Sequence, residues 1–239
     1  MSQELKIPNK LSPSPIIEAV VELRFSSKLP SDVIVGLTYE KFKEGYENMQ
    51  TLPIMQVPEQ LRLVDQNLVY QPTHAFPSDS YTLQIGPRVL SLLVRPTEGD
   101  YVGWTKFSEE LQSVFQGISE MDLVENLERV GVRFINFFAK ENIEGKTNFE
   151  IKFPIPFDNY FFGGEIKEED LTSRLTISNN ANVNLEPGSI IDIDTYVNEG
   201  IEDKFANVVD YVSRAHTLTK KVFFTTISDE YLKNFNPEY

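Results

Sequence analysis

The chain has 239 residues, of which 41% are hydrophobic and 24% charged, with 17 Phe, 10 Tyr and no Cys. That balance builds a sizeable core and excludes global disorder, while the lack of Cys excludes disulfides, thiolate metal sites and a Cys nucleophile. The formal net charge of −14 opposes nonspecific nucleic-acid binding, whose affinity comes from neutralising phosphates with Lys and Arg.

The opening MSQELKIPNKLSPSPI has no apolar run of the kind that directs secretion. No stretch approaches the roughly 20 apolar residues of a membrane span. A cytoplasmic location is the expectation. From Ile16 to Phe25 the residues alternate, Ile17, Ala19, Val21, Leu23 and Phe25 against Glu18, Glu22 and Arg24, the period-2 signature of a strand. Ser31 after Pro30 suggests an N-cap for a helix over Ser31 to Asn48, with Ile34, Leu37, Phe42 and Tyr46 on one side. Leu61 to Gln71 reads as a strand. Tyr81 to Ile85 and Val89 to Arg95 flank the turn Gly86-Pro87-Arg88 and must pair antiparallel, because so short a link allows nothing else. Trp104, Phe107, Leu111, Phe115 and Ile118 form a helical apolar stripe.

The second half follows a similar order. Glu128 to Phe138 and Phe149 to Phe153 read as strands, and Pro156 to Gly164 as an aromatic, Gly-rich loop. Leu171 to Ser178 and Asn182 to Leu185 flank a turn at Asn179-Asn180, with a second turn at Pro187-Gly188 before a strand over Ser189 to Val197. A long helix over Glu202 to Thr225 carries Phe205, Val208, Val212, Ala215 and Val222, and Ser228 is placed to cap a short terminal helix. The expected fold is α+β: one globular unit with a mainly antiparallel sheet and helices packed on one side. Two pseudo-repeats over residues 13–120 and 121–239, each of β-α-β-β-β-α type, would give a TATA-box-binding-like or helix-grip-like arrangement. The competing reading is that any antiparallel α+β chain produces this order.

Four segments carry a resemblance: Pro15-Ile-Ile-Glu-Ala-Val-Val-Glu-Leu-Arg-Phe25, Gly86-Pro-Arg-Val-Leu-Ser91, Gly103-Trp104 with Phe107, and Glu128-Arg-Val-Gly-Val-Arg-Phe-Ile-Asn136. From about residue 13 to the last helix the chain resembles an uncharacterised prokaryotic family known only for its sporadic distribution. The resemblance implies no activity, cofactor or site. A patchy distribution implies horizontal transfer, which suits toxin–antitoxin, immunity and phage-defence genes.

Glu18, Glu22 and Arg24 share one strand face, and Arg129 and Arg133 share another across Gly131. They form either an anion-binding or catalytic cluster or a cross-strand salt-bridge ladder, with Glu22 or Glu18 paired to Arg129 or Arg133. Asp192 and Asp194 alternate on one strand, a pattern that can share Mg²⁺ or simply face solvent. His74 and His216 have no second His at ligand spacing. There is no phosphate-cradling Gly-rich loop and no nucleophile elbow. Trp104 is either core or a surface anchor. Phe157, Tyr160, Phe161 and Phe162 either plug the core or form an interaction patch. The expected function is a non-enzymatic protein-interaction module with another protein as partner, no cofactor and no metal. The alternatives are a metal- or phosphate-dependent enzyme and a nucleic-acid-binding saddle.

Overall fold

A computed structural model describes residues 6–96, 101–149, 154, 157–201 and 207–239. The fold is α+β, with a nine-stranded antiparallel sheet that is not closed into a barrel. The strands are β1 (Ile16–Ser26), β2 (Gln50–Thr51), β3 (His74–Pro77), β4 (Thr82–Gly86), β5 (Val89–Val94), β6 (Asn126–Ala139), β7 (Phe161–Glu168), β8 (Leu171–Val183) and β9 (Glu186–Val197). Their order across the sheet is β2-β3-β4-β5-β1-β6-β9-β8-β7. The helices are α1 (Ser31–Phe42), α2 (Glu59–Val64), α3 (Trp104–Glu120), α4 (Val208–Thr226) and α5 (Asp229–Leu232). Among the described residues, no helix is long and apolar enough to cross a membrane.

The alternation in β1 and β6 sets the two faces. Ala19, Val21 and Leu23 lie in register with Phe134, Val132 and Val130, and on the other flank with Val94, Leu92 and Leu90. These residues are buried in one core with Ile34 of α1, Phe107, Leu111 and Ile118 of α3, and Val212, Ala215 and Val222 of α4. The helices therefore cover this face, where burying each large aliphatic side chain contributes about 1.5–3 kcal/mol. A polar line runs through the same core: Thr219 of α4 donates to Thr195 Oγ1 at 2.8 Å, and Thr195 donates to Ser173 Oγ at 2.9 Å. Buried hydroxyls satisfied in this way fix the seat of α4 on β8 and β9.

Several sequence expectations are corrected. Leu61 to Gln71 is not a strand: Glu59–Val64 is helix α2, followed by turns, because Pro58 starts a helix and the apolar residues there have no sheet neighbour to bury them. Helix α1 stops at Phe42 rather than Asn48. Its N-cap is Pro30, and Ser31 is the first helical residue, its hydroxyl donating to Glu59 Oε1 at 2.7 Å. Asn179-Asn180 is not a hairpin turn but an irregularity inside a continuous β8. The reversal lies at Asn184-Leu185, both at positive φ, and Pro187-Gly188 belongs to β9. The segment expected to be a loop to Gly164 enters β7 at Phe161. The last long helix begins at Val208. Residues 202–206 and 150–153, where its start and the strand over Phe149 to Phe153 were expected, lie outside the described residues, and Phe149 itself is not in a strand. Ser228 caps α5 as expected, accepting from the Tyr231 amide.

Candidate functional site

The face of the sheet turned away from the core cluster carries the charged residues. In β6, Arg129 folds back over Gly131, which sits in register between Glu22 of β1 and Tyr196 of β9. A Cβ at Gly131 would lie 2.4 Å from Arg129 Nη1, so only glycine leaves the space the guanidinium occupies. From there Nη1 donates to Glu22 Oε1 at 2.7 Å, and Nη2 donates to both carboxylate oxygens of Asp194 at 2.6 and 2.7 Å. The Tyr196 ring lies 4.5 Å from the guanidinium carbon. Of the pairings expected across β1 and β6, Arg129 with Glu22 is the one that forms.

Four further arginines pair with carboxylates in the same manner. Arg24 donates to Glu22 at 2.7 Å and Arg95 to Glu18 at 2.5 Å. Arg133 makes a bidentate pair with Asp192 at 2.8 and 2.6 Å, and Arg174 donates to Glu165 at 2.9 Å. Five arginines thus meet five carboxylates across β5, β1, β6, β9, β8 and β7. Glu18, Glu22, Arg24, Arg129 and Arg133 come together as one ladder, and Asp192 and Asp194 join it as arginine acceptors. Such fork-to-carboxylate geometry fixes strand register. Among the described residues no group of three or more His, Asp or Glu is placed to hold a metal ion.

The aromatic segment divides. Tyr160 and Phe162 pack against the core, and Phe162 lies 4.1 Å from the Phe149 ring. Phe161, on the outermost strand β7, is 75% exposed, and Phe157 is also exposed. Eight of the fourteen exposed large hydrophobic side chains among the described residues fall instead between Val33 and Val64. Helix α1 buries Ile34 and Val35 and turns Val33 and Leu37 outward. Helix α2 exposes Leu61, Leu63 and Val64, the last at 77%. The Ser31–Glu59 hydrogen bond ties the start of α1 to the start of α2. A strand over Leu61 to Gln71 would place the Leu61, Leu63 and Val64 side chains in the sheet, so the sequence expectation does not expose them. Pro58 followed by Glu59, a helix-start pairing, was the available signal.

Trp104 and His216 meet on the helix-covered side. Their rings stack 3.7 Å apart at an interplanar angle of 4°, and both line a cavity of about 690 Å³ with Tyr101, Phe134, Asn136 and Lys220. Burial, aided by the charge of Lys220, lowers the His216 pKa to about 3. His74 lies on β3, its Nδ1 3.1 Å from Thr73 Oγ1, and burial lowers its pKa. No protein-family model matches the chain, and no curated protein matches it.

Proposed function

We propose that the protein is a non-enzymatic protein-interaction module that takes its partner on the apolar surface of α1 and α2. The supporting observation is the concentration of exposed large hydrophobics along the chain from Val33 to Val64, with the Ser31–Glu59 hydrogen bond joining the starts of α1 and α2, since exposed apolar side chains gathered in one part of a folded chain mark contact with another protein. Residues 31–65 contain six acids (Asp32, Glu40, Glu44, Glu47, Glu59, Asp65) and three bases (Lys41, Lys43, Arg62). The fitting partner therefore presents an apolar patch with a basic rim. A second copy of an acidic chain would meet like charge there. The cross-strand ladder supports this reading from the other side: its arginines are matched by carboxylates, so the sheet face has no excess of cations to meet phosphate. The family resemblance adds the context of a cytoplasmic toxin–antitoxin, immunity or phage-defence component.

The test is affinity capture from the native cell with the wild-type chain and with the double variant Leu61→Asp/Val64→Asp. Both positions are exposed, so the fold should tolerate the change within about 0.5 kcal/mol per site. A partner held by the wild type and lost with the variant supports the proposal. A partner retained by the variant but lost with Phe161→Ala would move the interface to β7.

A further inference from the structure

The cavity between the start of α3, the middle of α4 and the centre of the sheet holds a set of groups that the protein-interaction reading does not use. Its volume, about 690 Å³, is in the range of pockets that enclose small organic ligands, roughly 300–1,000 Å³. The walls are aromatic. The Trp104–His216 stack is flanked by Phe134, whose ring centroid is 6.3 Å from Trp104 and 5.8 Å from His216. Tyr101 stands edge-on to Phe134 at 5.9 Å.

Among the described residues, two polar groups lining this cavity, the Tyr101 hydroxyl and the Lys220 ammonium, have no hydrogen-bond or ion-pair partner. The Tyr101 hydroxyl is buried and makes no hydrogen bond, a cost of about 1–3 kcal/mol unless something supplies an acceptor. Lys220 lines the same cavity, and burial alone lowers its pKa, with no carboxylate raising it. The contrast with the sheet face is informative: there each arginine has its acid, whereas here a lysine in a chain of net charge −14 has none. His216 stays neutral beside it and adds a flat ring rather than a second charge.

We infer that this cavity is a binding site for a small planar aromatic carboxylate, its ring among Trp104, His216 and Phe134, its carboxylate on the Lys220 ammonium and in reach of the Tyr101 hydroxyl. Lys220 is the half-buried ammonium of the cavity, Lys10 lies at its exposed edge, and Tyr101 adds a hydroxyl, a donor set that one carboxylate satisfies. The aromatic walls select a flat ring over an aliphatic acid. The site is independent of the α1–α2 surface, because the two share no residue.

Isothermal titration calorimetry with indole-3-acetate, 4-hydroxybenzoate and 2-naphthoate tests the assignment, with indole-3-ethanol as the uncharged counterpart of the first and adenosine 5′-monophosphate as the phosphate probe. At least one carboxylate should bind. For indole-3-acetate, if it is the one, the alcohol should bind at least about tenfold more weakly, as expected for loss of a charge-assisted hydrogen bond. Lys220→Met, which keeps the aliphatic stem, should weaken the bound carboxylate about tenfold or more and leave the alcohol within about twofold. Tyr101→Phe should weaken the carboxylate several-fold and, by removing an unpartnered hydroxyl, leave the protein at least as stable without ligand. The inference is overturned if no carboxylate binds at millimolar concentration, if the nucleotide alone binds, or if a folded Lys220→Met variant binds the carboxylate as the wild type does. If Lys220→Met does not fold, binding unaffected by Tyr101→Phe overturns it.

Discussion

Removing the Arg129 guanidinium tests whether the charged sheet face acts as a structural ladder. In Arg129→Met the side chain keeps comparable bulk, but Glu22 and Asp194 lose the donor that each meets at 2.6–2.7 Å. The Arg129 side chain is 10% exposed, and its partners are about a quarter exposed. A fully buried pair broken on one side costs about 3–5 kcal/mol, and an exposed pair about 0–1 kcal/mol. Arg129 stands between these limits and nearer the buried one, so the expected loss is about 2–3 kcal/mol. The Arg133 side chain is 46% exposed although its bidentate geometry is as good, so Arg133→Met should cost less than about 1 kcal/mol. Urea unfolding followed by the fluorescence of Trp104, the single tryptophan, measures both. A cycle with Glu22→Gln should show coupling of about 1 kcal/mol or more between positions 22 and 129. Gly131→Ala should reproduce much of the Arg129 loss, because its methyl group takes the guanidinium's place. Equal losses at 129 and 133, or strict additivity in the cycle, would refute the reasoning.

Three further outcomes follow from local chemistry. Leu185 is 93% exposed at φ 70° in the β8–β9 turn, next to Asn184 at φ 51°. Leu185→Gly should therefore raise stability by about 1 kcal/mol in the same unfolding assay. His216 takes up a proton in the unfolded chain near its ordinary value of 6.5, but in the fold only near 3. The unfolded state thus binds more protons between those values, and stability falls as pH drops from about 6.5 toward 3. His216→Phe should lose about 2–3 kcal/mol less than the wild type between about pH 7 and pH 4. In Thr219→Val the Thr195 hydroxyl loses its donor from α4, and thermal unfolding should register a loss of about 1–2 kcal/mol.

The central strands and the two long helices were legible because their signals are local. Alternation in Ile16–Ser26 and the stripe from Trp104 to Ile118 need no knowledge of the rest of the chain. The like-charged faces of β1 and β6 were visible too. Register was not, and it is register that gives Asp194 to Arg129, Asp192 to Arg133 and Arg95 to Glu18. The stretch from Gln50 to Gln71 misled because short apolar runs between prolines suit strand and helix alike, and its leucines and valine stay exposed on α2 instead of entering the sheet. The cavity could not be read in the chain, since Tyr101, Phe134 and Lys220 converge from three distant segments. Counted outward from the β1–β6 pair, the sheet runs β5, β4, β3, β2 on one side and β9, β8, β7 on the other, and a long helix, α3 or α4, follows the strands β5 and β9 in the chain.

The most direct test of the interaction reading is hydrogen exchange on the protein alone and in complex with its captured partner. Backbone amides between Val33 and Val64 should exchange more slowly in the complex, and the Leu61→Asp/Val64→Asp variant should show no such change at the same partner concentration. Slowed exchange confined to Phe161–Glu168 or to the charged face of β1, β6 and β9, with residues 33–64 unchanged, would contradict the account.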